Sequence, residues 1–359
     1  MLDFVHAVPA CRVVFGEGKI DQVLSEVERL GAERVLVVSG GPEAAYADEV
    51  VDYLGGLVVG RYTDVIMHVP VENAERAAGF SRELNADLLL AVGGGSSIGT
   101  AKAIAKSNRT PILAVPTTYA GSEMTPIWGL TEAARKTTGR DIGVLPVTVI
   151  YDPLVTLTLP VDVSMASGMN AMAHLVEALY SPGVSPISTL QAEAGVYALA
   201  HSLPGIAAKP DNLEARSQAM YGAWLAGWAL GTTTMGIHHK ICHTLGGTYN
   251  TPHAQTHSAV LSYAIDFNRE ATPEAMSKVS GALARAGFTD VNPAAAMWEL
   301  ATTIGAPTRV SDFGFSVDNI TEATEIIVAA QPQNPRAIDT NGVRELLTAA
   351  CVGEKPKTQ

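Results

Sequence analysis

Three histidines crowd one short segment, Gly236-Ile237-His238-His239-Lys240-Ile241-Cys242-His243, and His253 and His257 follow closely. Asn170 and His174 stand upstream, four residues apart, a spacing that puts both on one face of a helix. His239 and His243 repeat that spacing. His253 follows the turn-like Asn250-Thr251-Pro252, and Pro252 suits the first turn of a helix. His174, His239 and His253 are able to offer three imidazole nitrogens to one cation. His243, one turn further along, suits proton transfer. A lone helical histidine is most often a packing residue. Several at repeated spacing beside glycine-rich segments favour a site.

A second constellation lies earlier. Asp87 to Val92 runs into Gly93-Gly94-Gly95-Ser96-Ser97, and a helical pattern follows from Ile98 to Lys106. Glycines let the backbone approach a ligand closely, and the next helix start offers free N–H groups with the positive end of its dipole. This is a pyrophosphate cradle, although it matches neither GxGxxG nor a P-loop. An ordinary strand-to-helix turn needs fewer glycines. The loop Pro116-Thr117-Thr118-Tyr119-Ala120-Gly121-Ser122-Glu123 follows the next strand and places Thr117, Thr118 and Ser122 to line the same crevice. Ser122 or Thr125 is equally able to act as a simple cap there. No carboxylate occurs among Ser39, Gly40 and Gly41 at the end of the first βα unit, so both NADH and NADPH are expected to be usable.

These residues need a scaffold. Arg34–Ser39, Leu57–Tyr62, Asp87–Val92, Ile112–Val115 and Val147–Tyr151 read as strands, with an amphipathic helix over Glu72–Leu84. Strand–helix alternation at this spacing means βαβ units and a parallel, Rossmann-like sheet. After Leu154 the pattern becomes helix upon helix: Val163–Tyr180, Ile187–Leu203, Leu213–Leu230, Lys240–Tyr249, Ala254–Asn268, then shorter helices to Cys351. The expected organisation is an α/β domain over residues 1–153 and an all-α domain over 154–359.

Bulk properties narrow the function. The chain has 359 residues, 47% of them hydrophobic and 17% charged, enough for a large core in two domains. A net charge of −12 with no Lys/Arg run argues against nucleic acid. No signal peptide is seen, and no apolar run reaches the ~20 residues of a spanning helix, so a membrane partner is not expected. Three scattered cysteines, Cys11, Cys242 and Cys351, fit a reducing cytoplasm.

Taken together, Gly236–Pro252, Gly93–Ser96, Pro116–Thr118 with Gly121–Glu123, and Tyr151-Asp152-Pro153 to Leu159-Pro160 resemble the iron-containing (group III) alcohol dehydrogenase superfamily. The resemblance spans about residues 10 to 270. It implies a dinucleotide-binding α/β domain and a catalytic helical domain, an architecture shared with dehydroquinate synthase, and a homodimer. It also implies a metal held by one Asp and three His. His174, His239 and His253 match the His positions, whereas Asn170 occupies the Asp position. His243 matches a histidine near the nicotinamide. A neutral amide is a poorer partner for a hard cation than a carboxylate. Gly99 likewise replaces an Asp typical of the alcohol dehydrogenases.

Both departures look like the maleylacetate reductase branch, as do Arg135–Asp141 and His238–His243. That branch reduces the C=C bond of maleylacetate to 3-oxoadipate with NADH or NADPH in bacterial breakdown of aromatic compounds, and is described as not needing a metal. The resemblance then implies a small dicarboxylate substrate and a degenerate metal position at Asn170, His174, His239 and His253. His243 is expected to donate the proton. Lys240, Arg140 and His238 are expected to meet the substrate, and Ser39, Gly93 to Ser97, Thr117, Thr118, Ser122 and Lys136 the cofactor. Two rivals remain: a metal-dependent alcohol or polyol dehydrogenase of the same superfamily, and a dehydroquinate-synthase-like lyase. A non-catalytic sensor fits the intact cofactor loop less well.

Overall fold

The computed structural model describes Phe4 and residues 10–132 and 135–357, without the side chains of Pro42, Arg135 and Lys136. The chain divides into two compact units, one of them Val8–Leu159 and the other running from Pro160. The first unit therefore extends a little past the boundary expected at residue 153.

The first unit contains, in order, β1 (Arg12–Phe15), α1 (Val23–Leu30), β2 (Val35–Ser39), α2 (Ala44–Leu54), β3 (Val58–Tyr62), α3 (Val71–Glu83), β4 (Leu88–Gly93), α4 (Gly95–Asn108), β5 (Ile112–Pro116), β6 (Ile127–Glu132), β7 (Arg135–Arg140) and β8 (Thr148–Tyr151). Six strands form one parallel sheet in the order β1-β8-β5-β4-β2-β3. β2, β4, β5 and β8 are buried along their whole length, as their near-continuous Val/Leu/Ile content requires of central parallel strands. Val23 and Val27 of α1 and Val50 of α2 pack with Val35, Val37, Leu90 and Val115 of the sheet. Each such fully buried side chain contributes about 1.5–3 kcal/mol of transfer free energy.

Two elements go beyond the sequence reading. β1 is a short edge strand paired with β8, and β6–β7 is an antiparallel hairpin. The hairpin carries the polar run Arg135-Lys136-Thr137-Thr138-Gly139-Arg140, whose composition hides a strand. The motif at Asp152 is structural: its buried carboxylate accepts the N–H groups of Gly18 at 3.2 Å, Ile20 at 3.0 Å and Leu154 at 3.0 Å.

The sheet order leaves a crevice at the strand C-ends. From β2 the chain moves outward to β3, then returns to put β4 on the other side of β2. At such a switch point the loops after the two strands diverge and leave an opening at the strand C-ends. Ser39-Gly40 and Gly93-Gly94-Gly95 flank it.

The second unit is helical: α5 (Val161–Tyr180), α6 (Pro186–Ala208), α7 (Leu213–Thr232), α8 (Ile237–Tyr249), α9 (His253–Asn268), α10 (Pro273–Arg285), α11 (Pro293–Thr303), α12 (Ile320–Ala330) and α13 (Thr340–Val352). α5 is its axis, buried from Ser164 through Tyr180 and packed on α6, α7 and α9. Gly195 of α6 permits that approach, since a Cβ there would stand 2.6 Å from Leu175 Cδ2. α6 starts at a Ser185–Ser188 capping box, and α7 starts where the Asn212 side chain accepts the Ala215 N–H. Among the described residues no helix is long and apolar enough to cross a membrane.

Candidate active site

The glycine loop has a distinct reason at each position. Gly93 has φ +143°, and a Cβ on it would meet Ser97 Oγ at 2.4 Å. A Cβ on Gly94 would meet Thr118 Cγ2 at 2.8 Å. A Cβ on Gly95 would meet nothing within 4 Å. Packing therefore accounts for the first two glycines but not for the third, whose open side is room for a ligand at the start of α4. The Ser97 hydroxyl accepts the Gly40 N–H at 3.2 Å, and the Thr117 N–H donates to the Gly93 carbonyl at 3.3 Å. Those two bonds tie the loops after β2, β4 and β5 together. Ser39, Gly93, Gly94, Gly95, Ser96, Ser97, Thr117 and Thr118 thus cluster on this rim. The Glu43 carboxylate also reaches it, close to the Thr117 hydroxyl at 3.4 Å and 3.3 Å from where a Gly93 Cβ would lie. Reading only Ser39 to Gly41 overlooked this acid, which the short 3-10 turn Gly41–Glu43 brings back over the strand end. Lys136 lies on β7, and its side chain is outside the described residues.

Ser122 is held from behind. Lys102 is buried, and its ammonium donates to the carbonyls of Ser122 at 2.6 Å, Thr125 at 2.7 Å and Ile127 at 2.9 Å. Burial pushes its pKa down to about 7. The Glu123 carboxyl beside it is raised, first by burial, and accepts the Tyr151 hydroxyl at 2.6 Å. This lysine within α4 has no motif signature, because only the fold shows which loop it underlies.

In the helical unit the imidazoles gather. His174 Nδ1 lies 2.7 Å from His239 Nε2, and the two rings are stacked with centroids 4.8 Å apart. His238 Nε2 lies 3.0 Å from His257 Nδ1. The His257 ring centroid is 4.8 Å from that of His239 and 4.5 Å from that of His253. His243 is exposed, with its ring centroid 6.1 Å from His239 and 6.4 Å from His253. The cluster thus runs from buried His174, His238, His239 and His257 through half-buried His253 to exposed His243. Asn170 is buried one turn before His174, and its Oδ1 has no hydrogen-bond partner.

His238 departs from the expectation that it meets substrate. It has no exposed surface, and it supports His257 instead. The register of α8 explains this: consecutive residues point about 100° apart, so His239 turns toward Glu177 and His174 while His238 turns toward His257. Burial, then the neighbouring imidazoles, push His238 and His257 well below the ordinary histidine pKa. Both are neutral rings. Lys240 is half-buried on α8, and Arg140 is exposed at the end of β7 in the other unit.

Glu177 was missed by the sequence reading. It is fully buried on α5, and with Asn170 and His174 it makes an i, i+4, i+7 set on one face. Its carboxylate accepts the backbone N–H of Gly236 at 3.1 Å and of His238 at 2.9 Å, and its Oε2 lies 2.5 Å from His239 Nδ1. It thereby caps α8 from another helix. That is why α8 begins at Ile237 rather than at Lys240 as the sequence suggested. The spacing from His174 was the available signal, but nothing local links it to residue 239.

The donor set for a metal is mixed. Ring nitrogens of His238, His239 and His257 lie within 4.8 Å of one another. Two nitrogens on one tetrahedral ion, each about 2.0–2.1 Å from it, stand roughly 3.4 Å apart. His174 and His239 are closer than that and share a hydrogen bond. With a neutral amide at 170 as well, Asn170, His174 and His239 in this arrangement fit a divalent cation poorly.

Comparison with known proteins agrees with this layout. Residues 9–153 match the iron-containing alcohol dehydrogenase family model, and residues 164–351 match the C-terminal model of the Fe-containing alcohol dehydrogenase family. The maleylacetate reductase of Sphingobium indicum is 47% identical over 99% of this chain and 100% of its own. The crystal structure of maleylacetate reductase from Rhizobium sp. strain MTP-10005 is 40% identical, covers 99% of this chain and 100% of its own, and superposes with a TM-score of 0.94. An iron-containing alcohol dehydrogenase from Corynebacterium glutamicum is 45% identical over 99% of this chain and 98% of its own, with a TM-score of 0.93. The parallel-sheet unit, the helical unit and both sequence matches lead to one conclusion: the chain belongs to the iron-containing alcohol dehydrogenase family.

Proposed function

We propose that this chain is a maleylacetate reductase, using NADH or NADPH to saturate the C=C bond of maleylacetate to 3-oxoadipate. The observation that carries the reading is the 2.7 Å hydrogen bond between His174 and His239, one turn after the neutral amide of Asn170, where the family resemblance implies a ligand carboxylate. An alcohol dehydrogenase uses a Lewis acid to polarise an isolated carbonyl or to acidify an alcohol. Maleylacetate is an enone, already activated. A bound reduced nicotinamide would supply a hydride to the alkene carbon β to the ketone, with the π electrons moving to the ketone oxygen. The enolate then collapses as the adjacent carbon takes a proton. One hydride and one proton are consumed, and NAD(P)⁺ leaves. Imidazole N–H groups are able to stabilise the enolate oxygen without a cation. His253 takes that role, since His174 and His239 are hydrogen-bonded to each other, and exposed His243 delivers the proton, resupplied from water.

The glycine loop and the threonines after β5 hold the dinucleotide, and within the helical unit Lys240 is assigned to a substrate carboxylate. This reading carries with it a cytoplasmic location and a homodimer. The decisive assay follows NADH consumption with maleylacetate against simple alcohols and aldehydes, with and without EDTA. Turnover of maleylacetate that survives the chelator supports the proposal. Loss of activity in EDTA, restored by Fe²⁺ or Zn²⁺, refutes it in favour of a metal-dependent dehydrogenase.

A further inference from the structure

The proposed reaction does not use Glu177, yet its buried carboxylate is bonded to the histidine cluster at His239. We propose that Glu177 is a positioning residue that sets the direction of a carboxylate–imidazole–imidazole chain running Glu177, His239, His174. The inference deepens the reductase reading and rests on it for its catalytic consequence only.

A carboxylate only accepts hydrogen bonds. Glu177 already accepts two backbone N–H groups, and its Oε2 lies 2.5 Å from His239 Nδ1. His239 therefore carries its proton on Nδ1, and a neutral ring then presents Nε2 as an acceptor. That Nε2 is 2.7 Å from His174 Nδ1, so His174 is the donor and also holds its proton on Nδ1. Both rings consequently turn their Nε2 lone pairs away from Glu177. The order is imposed from the buried end, because Glu177 has no exposed surface and cannot exchange its role with water. A carboxylate behind a histidine that fixes its tautomer is a recurrent device in metal sites and in hydrolases. Here it works where the ligand-position carboxylate has become Asn170. It decides whether His174 offers a donor or an acceptor to what it faces.

The test is Glu177→Gln. In the wild-type protein Oε2 accepts both the Gly236 N–H and His239 Nδ1–H, and Oε1 accepts the His238 N–H. With its one oxygen kept on the His238 N–H, the amide turns its nitrogen toward His239 and Gly236; the Gly236 bond is lost, and His239 Nδ1 is left to accept, which reverses both rings. Long-range ¹H–¹⁵N spectra of the imidazoles are expected to show Nδ1–H forms for His239 and His174 in the wild-type protein and Nε2–H forms in the variant. With maleylacetate, kcat is expected to fall by roughly tenfold or more while the KM for NADH holds, the loss of one charge-assisted hydrogen bond in the reacting complex. Glu177→Asp retains a carboxylate and is expected to keep the wild-type tautomers and restore part of kcat. Should the Gln variant fail to fold, the wild-type spectra and the Asp variant carry the test. Nε2–H forms in the wild-type protein, or a reversed Gln variant with full kcat, overturn the proposal. The tautomer readout needs no substrate, so its failure is separable from failure of the reductase reading.

Discussion

Gly95→Ala separates a structural from a functional reason for the glycine loop. Gly95 opens α4, its φ is not in the left-handed region, and an added Cβ meets no atom within 4 Å. Replacing glycine by alanine inside a helix gains up to about 1 kcal/mol of stability, less in the first turn. On structural grounds the variant is therefore neutral or slightly stabilised. If the dinucleotide phosphates rest on the free N–H groups of this turn, the new methyl occupies their approach. Loss of one charge-assisted hydrogen bond costs about 1.5–3 kcal/mol. That corresponds to roughly a tenfold to hundredfold rise in the Kd for NADH. The assay pairs a thermal melt with a titration of NADH fluorescence. Gly93→Ala is the control of opposite sign. With φ +143° and a Cβ position 2.4 Å from Ser97 Oγ, it is expected to cost on the order of 1–3 kcal/mol of stability as well as affinity. A Gly95→Ala protein that melts as wild type and binds NADH within about twofold of the wild-type Kd removes the loop from the phosphate site.

Other perturbations test the remaining parts. Asn170→Asp restores an anionic oxygen one turn before His174, and metal analysis after incubation with Fe²⁺ or Zn²⁺ and dialysis is expected to rise from a trace toward about one ion per chain. Unchanged metal content counts against residue 170 as a ligand position. Lys102→Met strips the ammonium from three buried carbonyls beneath the 116–127 loop and is expected to cost about 2–4 kcal/mol in denaturant melts. It also changes the pH profile of stability. The buried ammonium titrates at about 7 against 10.5 for an ordinary lysine, so the unfolded chain holds more protons across that window. The contribution of Lys102 to stability therefore rises as pH rises from about 7 to 10.5, and the variant is expected to lose that slope. An unaltered slope assigns it to other groups.

Much of the scaffold was legible because local pattern and global position agree in it. Leu88 to Val92 and Ile112 to Val115 are continuous apolar runs, and the central strands of a parallel sheet are buried on both faces. The long helices of the second unit came within a few residues of their ends. β1 and the β6–β7 hairpin were not legible, since short edge strands and polar ribbons owe their pairing to neighbours far along the chain. Spacing placed Asn170 with His174 and His239 with His243. It gave no way to tell that His238 turns inward, because α8 begins where Glu177 of α5 accepts its first N–H groups.

By itself, then, the sequence determined the two-part architecture, the glycine loop, the histidine-rich segments and the Asn170–His174 spacing. These follow from residue types and from periods of two and 3.6. The tertiary structure alone decided which imidazole faces which, that Glu177 orders His239 and His174, that Glu43 reaches the crevice rim, and that Lys102 underlies the Ser122 loop. Each of these is a contact between residues distant in sequence. Such contacts depend on how packed elements register against one another, and no local spacing encodes that.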